Sequence, residues 1–578
     1  MATSTGWWMY HGDPAHTGYV GTGSKINAAA LTGGQFGVLH TLNIGGPILS
    51  VPAVSDGFVF VGLANSRDQI GELGGTLLKI DLATGATAAK FTWQIKENER
   101  DTHGFCGMGC TPSVVGDSKT GKVYFVGFNA TLYCLHASDL KQVWSVSLRT
   151  RDLGHNQPVD TFQPGNDINN EPPPAAGWSA PLVVNGRVYL GIGEGENTNL
   201  NSFVFCLDAN TGNVIWIYCT NQYVAGQPNR PNDLPANAVD PNTLPKMFTS
   251  NATTPVTLGC SVWGCIAYDE KLNRLYCPTG NGVPDTPLPT PGWSNGLLSL
   301  DAGSGAFVAF YQIPAASNYR DTDIDIDVGA SPTLFDLGSQ RVVGVGCKNG
   351  SFHVLDANTL APVKWKQLLP KYNDGTQIPT VDPNPSDAQA AGNLQNPRIA
   401  NRAADAGQAE NYSGIYSTAA VHPPSRKIFV GIGGNNYHSL APGIDTPNTP
   451  FMRALDYATL NDAWPVDNGN PQRYTKARPP LYTHVTESGL ASPAVVNDVV
   501  FMSTTFVSLC ALSVADGTML FQDRLGAQTG GFKGGYGYCL GPAVCGDYVV
   551  AGALIFGGDG GVLRIYGIKP GATGSATT

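Results

Sequence analysis

An all-β, eight-bladed propeller is the fold class predicted for this chain, and three observations predict it. A short apolar run ending in Leu-Asp, then a polar turn, then a β-branched or aromatic run, recurs from one end of the sequence to the other. A second strand pair with its own polar turn precedes most copies, as in Leu182-Val-Val-Asn-Gly-Arg-Val-Tyr-Leu190 and Ala494-Val-Val-Asn-Asp-Val-Val-Phe501. Sustained helical periodicity is missing, so each unit reads as about four strands, and radial closure is the arrangement that protects the edges of such units.

The copies begin at Leu78, Leu132, Val204, Leu298, His353, Arg453 and Cys510, with a degenerate eighth at Leu563. Eight units predict eight blades. The strand pair after residue 35 has no Leu-Asp strand ahead of it, and little follows the last copy. The N-terminal segment is therefore expected to complete the last blade, closing residues 1–578 into one ring. Long Pro/Asn/Gly-rich inserts at about 151–177, 222–258 and 366–411 interrupt the spacing. Loops of that length inside a compact domain are usually functional or disordered, and these are expected to rim one mouth of the ring.

Composition agrees with this reading and removes several function classes. A length of 578 residues would ordinarily suggest several domains, but a propeller absorbs it in one. Charged residues make up 13%, against 71 Gly and 41 Pro, so polar uncharged turns dominate the surface. A net charge of −10 without clustered Lys and Arg argues against a nucleic-acid partner. No apolar stretch has the length of a membrane span. Met1-Ala-Thr-Ser-Thr-Gly shows neither the basic nor the apolar part of a secretory signal, which fits a cytosolic start or a mature chain carrying an added Met.

Of the 12 cysteines, Cys134, Cys206 and Cys510 fall at equivalent apolar positions of the Leu-Asp strands and read as small buried hydrophobes. Cys106 and Cys110, in Cys-Gly-Met-Gly-Cys, are flanked by glycines that permit a disulfide across three residues. Cys260/Cys265 and Cys539/Cys545 are also close in sequence, and spacing does not fix the pairing. No His lies at ligand spacing from a Cys pair, which disfavours zinc, and no Cys-x-x-Cys-His run predicts covalent haem.

The richest single segment runs from Ser261 to Gly282. Ile266, Ala267 and Tyr268 lead into a polar turn at Asp269 to Asn273, and Leu275 and Tyr276 follow, which predicts a β-hairpin. Trp263 and Asn281 then flank its open end. An indole face stacks on planar ligands and an amide oxygen suits a hard cation, although a core Trp and a turn Asn would leave the same pattern.

At these residues the chain resembles the pyrroloquinoline quinone (PQQ) dehydrogenase propellers. Leu207-Asp-Ala-Asn-Thr-Gly-Asn-Val-Ile-Trp216 looks like their blade motif, and Trp263 through Asn281 resembles the segment with the cofactor-stacking Trp and a calcium-ligating Asn. Asp325-Ile-Asp327-Val-Gly-Ala-Ser-Pro332 and Cys347-Lys348 resemble the segment holding the catalytic Asp and the Lys or Arg on the quinone oxygens. The likeness covers nearly the whole chain, and the polyvinyl-alcohol-dehydrogenase-like branch is the more similar one, partly through Gly177-Trp-Ser179-Ala-Pro181.

The resemblance implies Asp327 as base, Lys348 on the quinone, and Trp263, Ser179 and Tyr416 as further cofactor contacts. It implies a calcium site of Asn281, Asp327 and a carboxylate, with Glu196 preferred over Glu194. Two departures stand out. Cys106 and Cys110 would form a wider ring over the cofactor than the family's adjacent cysteine pair, and Ile415-Tyr416 replaces an Asn-Trp pair.

Chemistry supports the assignment, because alcohol oxidation by a quinone needs a base for the hydroxyl proton and a polarised carbonyl. Asp323, Asp325 and Asp327 also suit a solvated turn. The expected activity is thus PQQ- and calcium-dependent oxidation of a small or polymeric alcohol, with electrons passing to an external acceptor, in the periplasm or outside the cell. The other reading is a PQQ-like propeller without quinone, serving as a scaffold or using its axial funnel for different chemistry.

Overall fold

Each copy of the repeat becomes the third strand of a blade, and in the five copies that end in Asp that residue builds the turn that follows. In the computed structural model, which describes residues 6–21, 23–66, 74–95, 105–148, 177–193, 202–220, 258–280, 282–283, 293, 295–313, 328–348, 350–368, 415–432, 452–464, 491–504, 508–524, 541–553 and 561–570, eight blades form a ring. Their inner strands are Ala53–Ser55, Ser113–Val115, Leu182–Val184, Ala267–Asp269, Thr333–Leu337, Ala420–His422, Ala494–Val496 and Ala543–Cys545, which define blades 1 to 8. In blade 6 the described outer strand shrinks to one bridge between Leu455 and Asp462. The outer strand of blade 8 comes from the other end of the chain: Phe36–Asn43 pairs antiparallel with Val562–Ile568. The three long inserts lie almost wholly outside the described residues.

The turn chemistry explains the repeat. Asp81 accepts from the backbone N–H of Thr84 at 2.8 Å, and Asp208, Asp356 and Asp456 do the same for Thr211, Thr359 and Thr459. The next residue sits in the left-handed region, which glycine adopts without penalty at Gly85, Gly212 and Gly305 (φ 71°, 75° and 73°). Leu140, Leu360 and Leu460 take the same conformation in blades 2, 5 and 6.

The choice between Gly and Leu follows what the preceding blade presents. A Cβ on Gly212 would stand 2.9 Å from the Trp144 ring, and one on Gly305 would stand 2.6 Å from Trp216. Where the preceding outer strand carries Ala at the matching register, as at Ala89 and Ala309, the turn carries Leu140 or Leu360 in the same apolar cluster. Large meets small across each of these seams, which keeps packing dense with either pairing.

The segment from Gly6 to Val20 runs round the inside of the ring, past the inner strands of blades 1 to 7 in order. Its carbonyl oxygens at Trp7, Trp8, Pro14, Ala15, Thr17 and Gly18 accept the N–H groups of Val54, Val114, Tyr268, Leu334, Val421 and Val495. Those donors are the second residues of six inner strands, edges that would otherwise lack partners. At its end Tyr19–Val20 pairs in parallel with Val495–Val496.

Burial of two histidines, His16 inside the ring and His353 in the third strand of blade 5, gives a pH dependence. His16, bonded through Nδ1 to the Pro332 carbonyl at 3.0 Å, is pushed down to about 3, first by burial and then by His11. His353 falls to about 3 through burial, between the Ser351 and Tyr311 hydroxyls. An unfolded chain takes up these protons near pH 6.5 and the folded one does not, so stability is lost as pH falls below that value, on the order of 3 kcal/mol per ring by pH 4. Asp13, raised by burial, opposes this by holding its proton longer when folded. We expect the urea midpoint to drop between pH 7 and pH 4 and the slope to flatten in His353→Gln. A midpoint that does not move over that range would contradict this assignment.

Candidate active site

Just before each inner strand the chain passes the mouth of the axial channel, and a repeated position brings Trp178, Trp263, Gly329 and Tyr416 there from blades 3 to 6. The predicted hairpin is present below Trp263, with Ala267 opposite Tyr276, Tyr268 opposite Leu275 and Asp269 opposite Arg274. Ser261 O accepts from Gly280 N at 2.8 Å, holding the two flanks of that hairpin together. Trp178, Trp263 and Tyr416 are all half-buried.

Lys348 follows the second strand of blade 5, Gln340–Gly346, and is 3% exposed. Its Nζ lies 5.1 Å from the centre of the Trp263 ring and 5.3 Å from that of Tyr416. Attraction of an ammonium to two ring faces fixes its place. Gly329 makes the arrangement possible, because a Cβ there would lie 3.2 Å from Tyr416, 3.3 Å from Lys348 and 3.3 Å from Trp263. In blade 2, Phe128 packs edge-on against Trp178 with centroids 4.7 Å apart. Gly109 leaves room for those two rings, since a Cβ there would stand 2.6 Å from Phe128 and 3.0 Å from Trp178.

Of the residues expected from sequence, Trp263, Lys348 and Tyr416 are therefore brought together. Glu194, Glu196, Asn281, Asp323, Asp325 and Asp327 lie outside the described residues, as does the side chain of Cys106. Among the described residues no group of three or more His, Cys, Asp or Glu could hold a metal. Ser179 is fully buried, with a hydroxyl that finds no partner among the described residues.

Cys110 is a free, buried thiol. Its sulfur bonds to the backbone of Val126, donating to O at 3.3 Å and accepting from N at 3.4 Å, and burial pushes its pKa up to about 12. The neutral thiol satisfies that strand end, which a disulfide would leave unpaired. Cys134 and Cys206, by contrast, are the buried hydrophobes expected.

Trp178, Phe128 and Gly329 were not singled out as functional by sequence. The usable signal was register, since Trp178, Trp263, Gly329 and Tyr416 each precede an inner strand by the same offset.

An aromatic, glycine-floored mouth with a buried cation suits a flat anionic ligand. The fold is similar to that of the quinohemoprotein alcohol dehydrogenase from Comamonas testosteroni (TM-score 0.64, 19% identity, 99% of this chain and 82% of that one). It is also similar to a europium-containing methanol dehydrogenase (TM-score 0.62, 15% identity, 98% of each chain). In sequence the chain is 25% identical over 317 residues to quinohemoprotein alcohol dehydrogenase ADH IIB of Pseudomonas putida, covering 53% of this chain and 39% of that protein. It is 24% identical over 402 residues to lupanine 17-hydroxylase [cytochrome c] of a Pseudomonas species, covering 66% and 51%. The matched region thus spans about half or less of the length of those two relatives. The profile of the PQQ family, described as the glucose/ethanol/alcohol dehydrogenase β-propeller domain, matches residues 74–391, more than half of the sequence, and the chain belongs to that family.

Proposed function

We propose that the protein is a PQQ- and calcium-dependent dehydrogenase that oxidises an alcohol and passes the electrons to a separate acceptor. The observation that carries this reading is the Lys348 ammonium held between Trp263 and Tyr416 at the channel mouth. A bound PQQ would supply an ortho-quinone able to accept two electrons from the alcohol carbon. Trp263 offers the flat face on which such a ring stacks. Lys348 carries a fixed positive charge and N–H donors to the place where oxygen gains negative charge, which in a dry site is worth far more than in water. Gly329 keeps the floor low enough for a planar group to approach both.

Asp327 is proposed as the base that takes the alcohol proton. With Glu196 and Asn281 it is also proposed to ligate calcium, which prefers six to eight oxygens and so would draw on the cofactor as well. A separate acceptor for the electrons is part of the proposal. No described helix is long and apolar enough to cross a membrane. A periplasmic or secreted site of action, and a small or polymeric alcohol as substrate, complete the proposal.

Thermal denaturation with PQQ and calcium tests it. A ligand at a hundredfold excess over its Kd, bound to the folded state alone, stabilises by about 2.7 kcal/mol. We expect a rise in Tm for the wild type and none for Trp263→Ala. A wild type unaffected by excess PQQ at millimolar calcium would transfer the preference to a propeller that works without quinone.

A further inference from the structure

One layer below the aromatic mouth, the residues two positions after Trp178, Trp263, Gly329 and Tyr416 form a hydrogen-bonded girdle around the axis. Ala180 N donates to the Cys265 sulfur at 3.4 Å, and Cys265 N donates to the Ser331 hydroxyl at 2.8 Å. Ser331 N donates to the Thr418 hydroxyl at 3.2 Å, and Thr418 N donates to the Ser492 hydroxyl at 3.0 Å. Five consecutive blades are linked backbone to side chain, two residues beyond the mouth position in each donor blade. The girdle thus sets the angular spacing of Trp263, Gly329 and Tyr416.

Tyr10 belongs to no blade. It rises from the axial segment, and its hydroxyl bonds the Thr418 hydroxyl at 2.8 Å and the Ser492 hydroxyl at 3.3 Å. Its ring meets His16 edge-on with centroids 5.1 Å apart, which fixes its direction. The segment beneath is held to six inner strands by backbone bonds. Tyr10 is therefore a rigid post standing on that segment and touching the girdle from inside.

We infer that Tyr10 is a positioning residue for the proposed reaction, setting the spacing between the Trp263 face, the Lys348 ammonium and the Tyr416 ring through its bonds to Thr418 and Ser492. The phenol acts at a distance, through two hydroxyls whose own peptides hold the mouth. Burial, and after it the neighbouring Cys265, pushes the Tyr10 hydroxyl up to about 12, so it stays a neutral donor at working pH. The inference rests on the proposed function for its effect on cofactor binding and not for its effect on the girdle.

Tyr10→Phe keeps the ring and removes the hydroxyl, and Thr418→Val keeps the shape and removes the partner. Two readouts are needed, amide hydrogen exchange of the apo-protein and PQQ affinity in the presence of calcium. Tyr10→Phe loses both hydroxyl bonds of Tyr10, and Thr418→Val loses one of them together with the bond from Ser331 N, so exchange in peptides covering 263–266, 329–333 and 416–420 should rise at least about fivefold while the outer strands stay unchanged. The Kd for PQQ should rise by a similar factor, Thr418→Ser should behave as wild type, and Tyr10→Phe/Thr418→Val should be little worse than either single change. Ser50→Ala, at a buried hydroxyl without a partner among the described residues, serves as the neutral control. Exchange that does not change in Tyr10→Phe, or that rises evenly around all eight blades, would overturn the inference. A wild type that binds no PQQ would sink the proposed function, and the exchange result would still decide the role of Tyr10 in the girdle.

Discussion

Gly305→Leu should cost about 3 kcal/mol, roughly 1 from a left-handed leucine and the remainder from overpacking. The new side chain would start 2.6 Å from Cδ2 of Trp216, a ring 1% exposed at the seam between blades 3 and 4. Trp216→Ala alone should cost about 3–5 kcal/mol through the cavity it leaves. The pair Trp216→Ala/Gly305→Leu recreates the Ala309 and Leu360 seam that this protein already uses between blades 4 and 5. Simple addition predicts a loss of about 7 kcal/mol for the pair, whereas complementary packing predicts no more than about 4. Urea denaturation of the four proteins measures the difference. An additive double variant would mean that the alternation of Gly and Leu along the turns is unrelated to packing.

Lys348→Met should lower kcat/KM for the PQQ-loaded enzyme by about 10²- to 10³-fold, the effect of removing a preorganised charge from an oxyanion-type site. Methionine keeps most of the lysine stem against Trp263 and Tyr416, so secondary structure and the mouth should survive. Asp327→Asn separates the two roles. Loss of a base should reduce kcat by roughly 10²- to 10⁴-fold while leaving PQQ binding nearly as it was, to the extent that asparagine still offers calcium an oxygen. Steady-state rates with a dye acceptor, together with PQQ titration of both variants, distinguish the outcomes. Full activity in Lys348→Met would remove the cation from the chemistry and leave it a packing role.

The blades were legible because their signals are local. Asp81, Asp208 and Asp301 each sit a fixed few residues before a left-handed turn, and a turn's chemistry is readable from four or five neighbours. The meeting of Trp263, Lys348 and Tyr416 was legible through family resemblance and repeat geometry together. Tyr10 was not, because the Trp7–Val20 stretch occurs once and its partners, such as Val54 and Val495, are far away in sequence. The surroundings of Cys110 were hidden for a related reason. Its spacing from Cys106 permits a disulfide, while the competing bond to Val126 exists only in three dimensions.

The axial segment has a consequence for biosynthesis. Residues 7–20 leave the ribosome before any blade, yet Thr17 and Gly18 bond to Val421 of blade 6 and Val495 of blade 7. The outer strand of blade 8, Phe36–Asn43, likewise waits for Val562–Ile568. Nascent chains therefore carry an unpaired N-terminal thread until nearly all blades exist, and closing such long loops makes assembly slow. Once the last blade shuts, the segment is tied to six blades at once, and opening the ring has to break those bonds along with the contacts between blades. Persistence of the finished protein is then governed by the rate of that opening more than by equilibrium stability, so endurance on prolonged heating should exceed what a denaturation midpoint suggests.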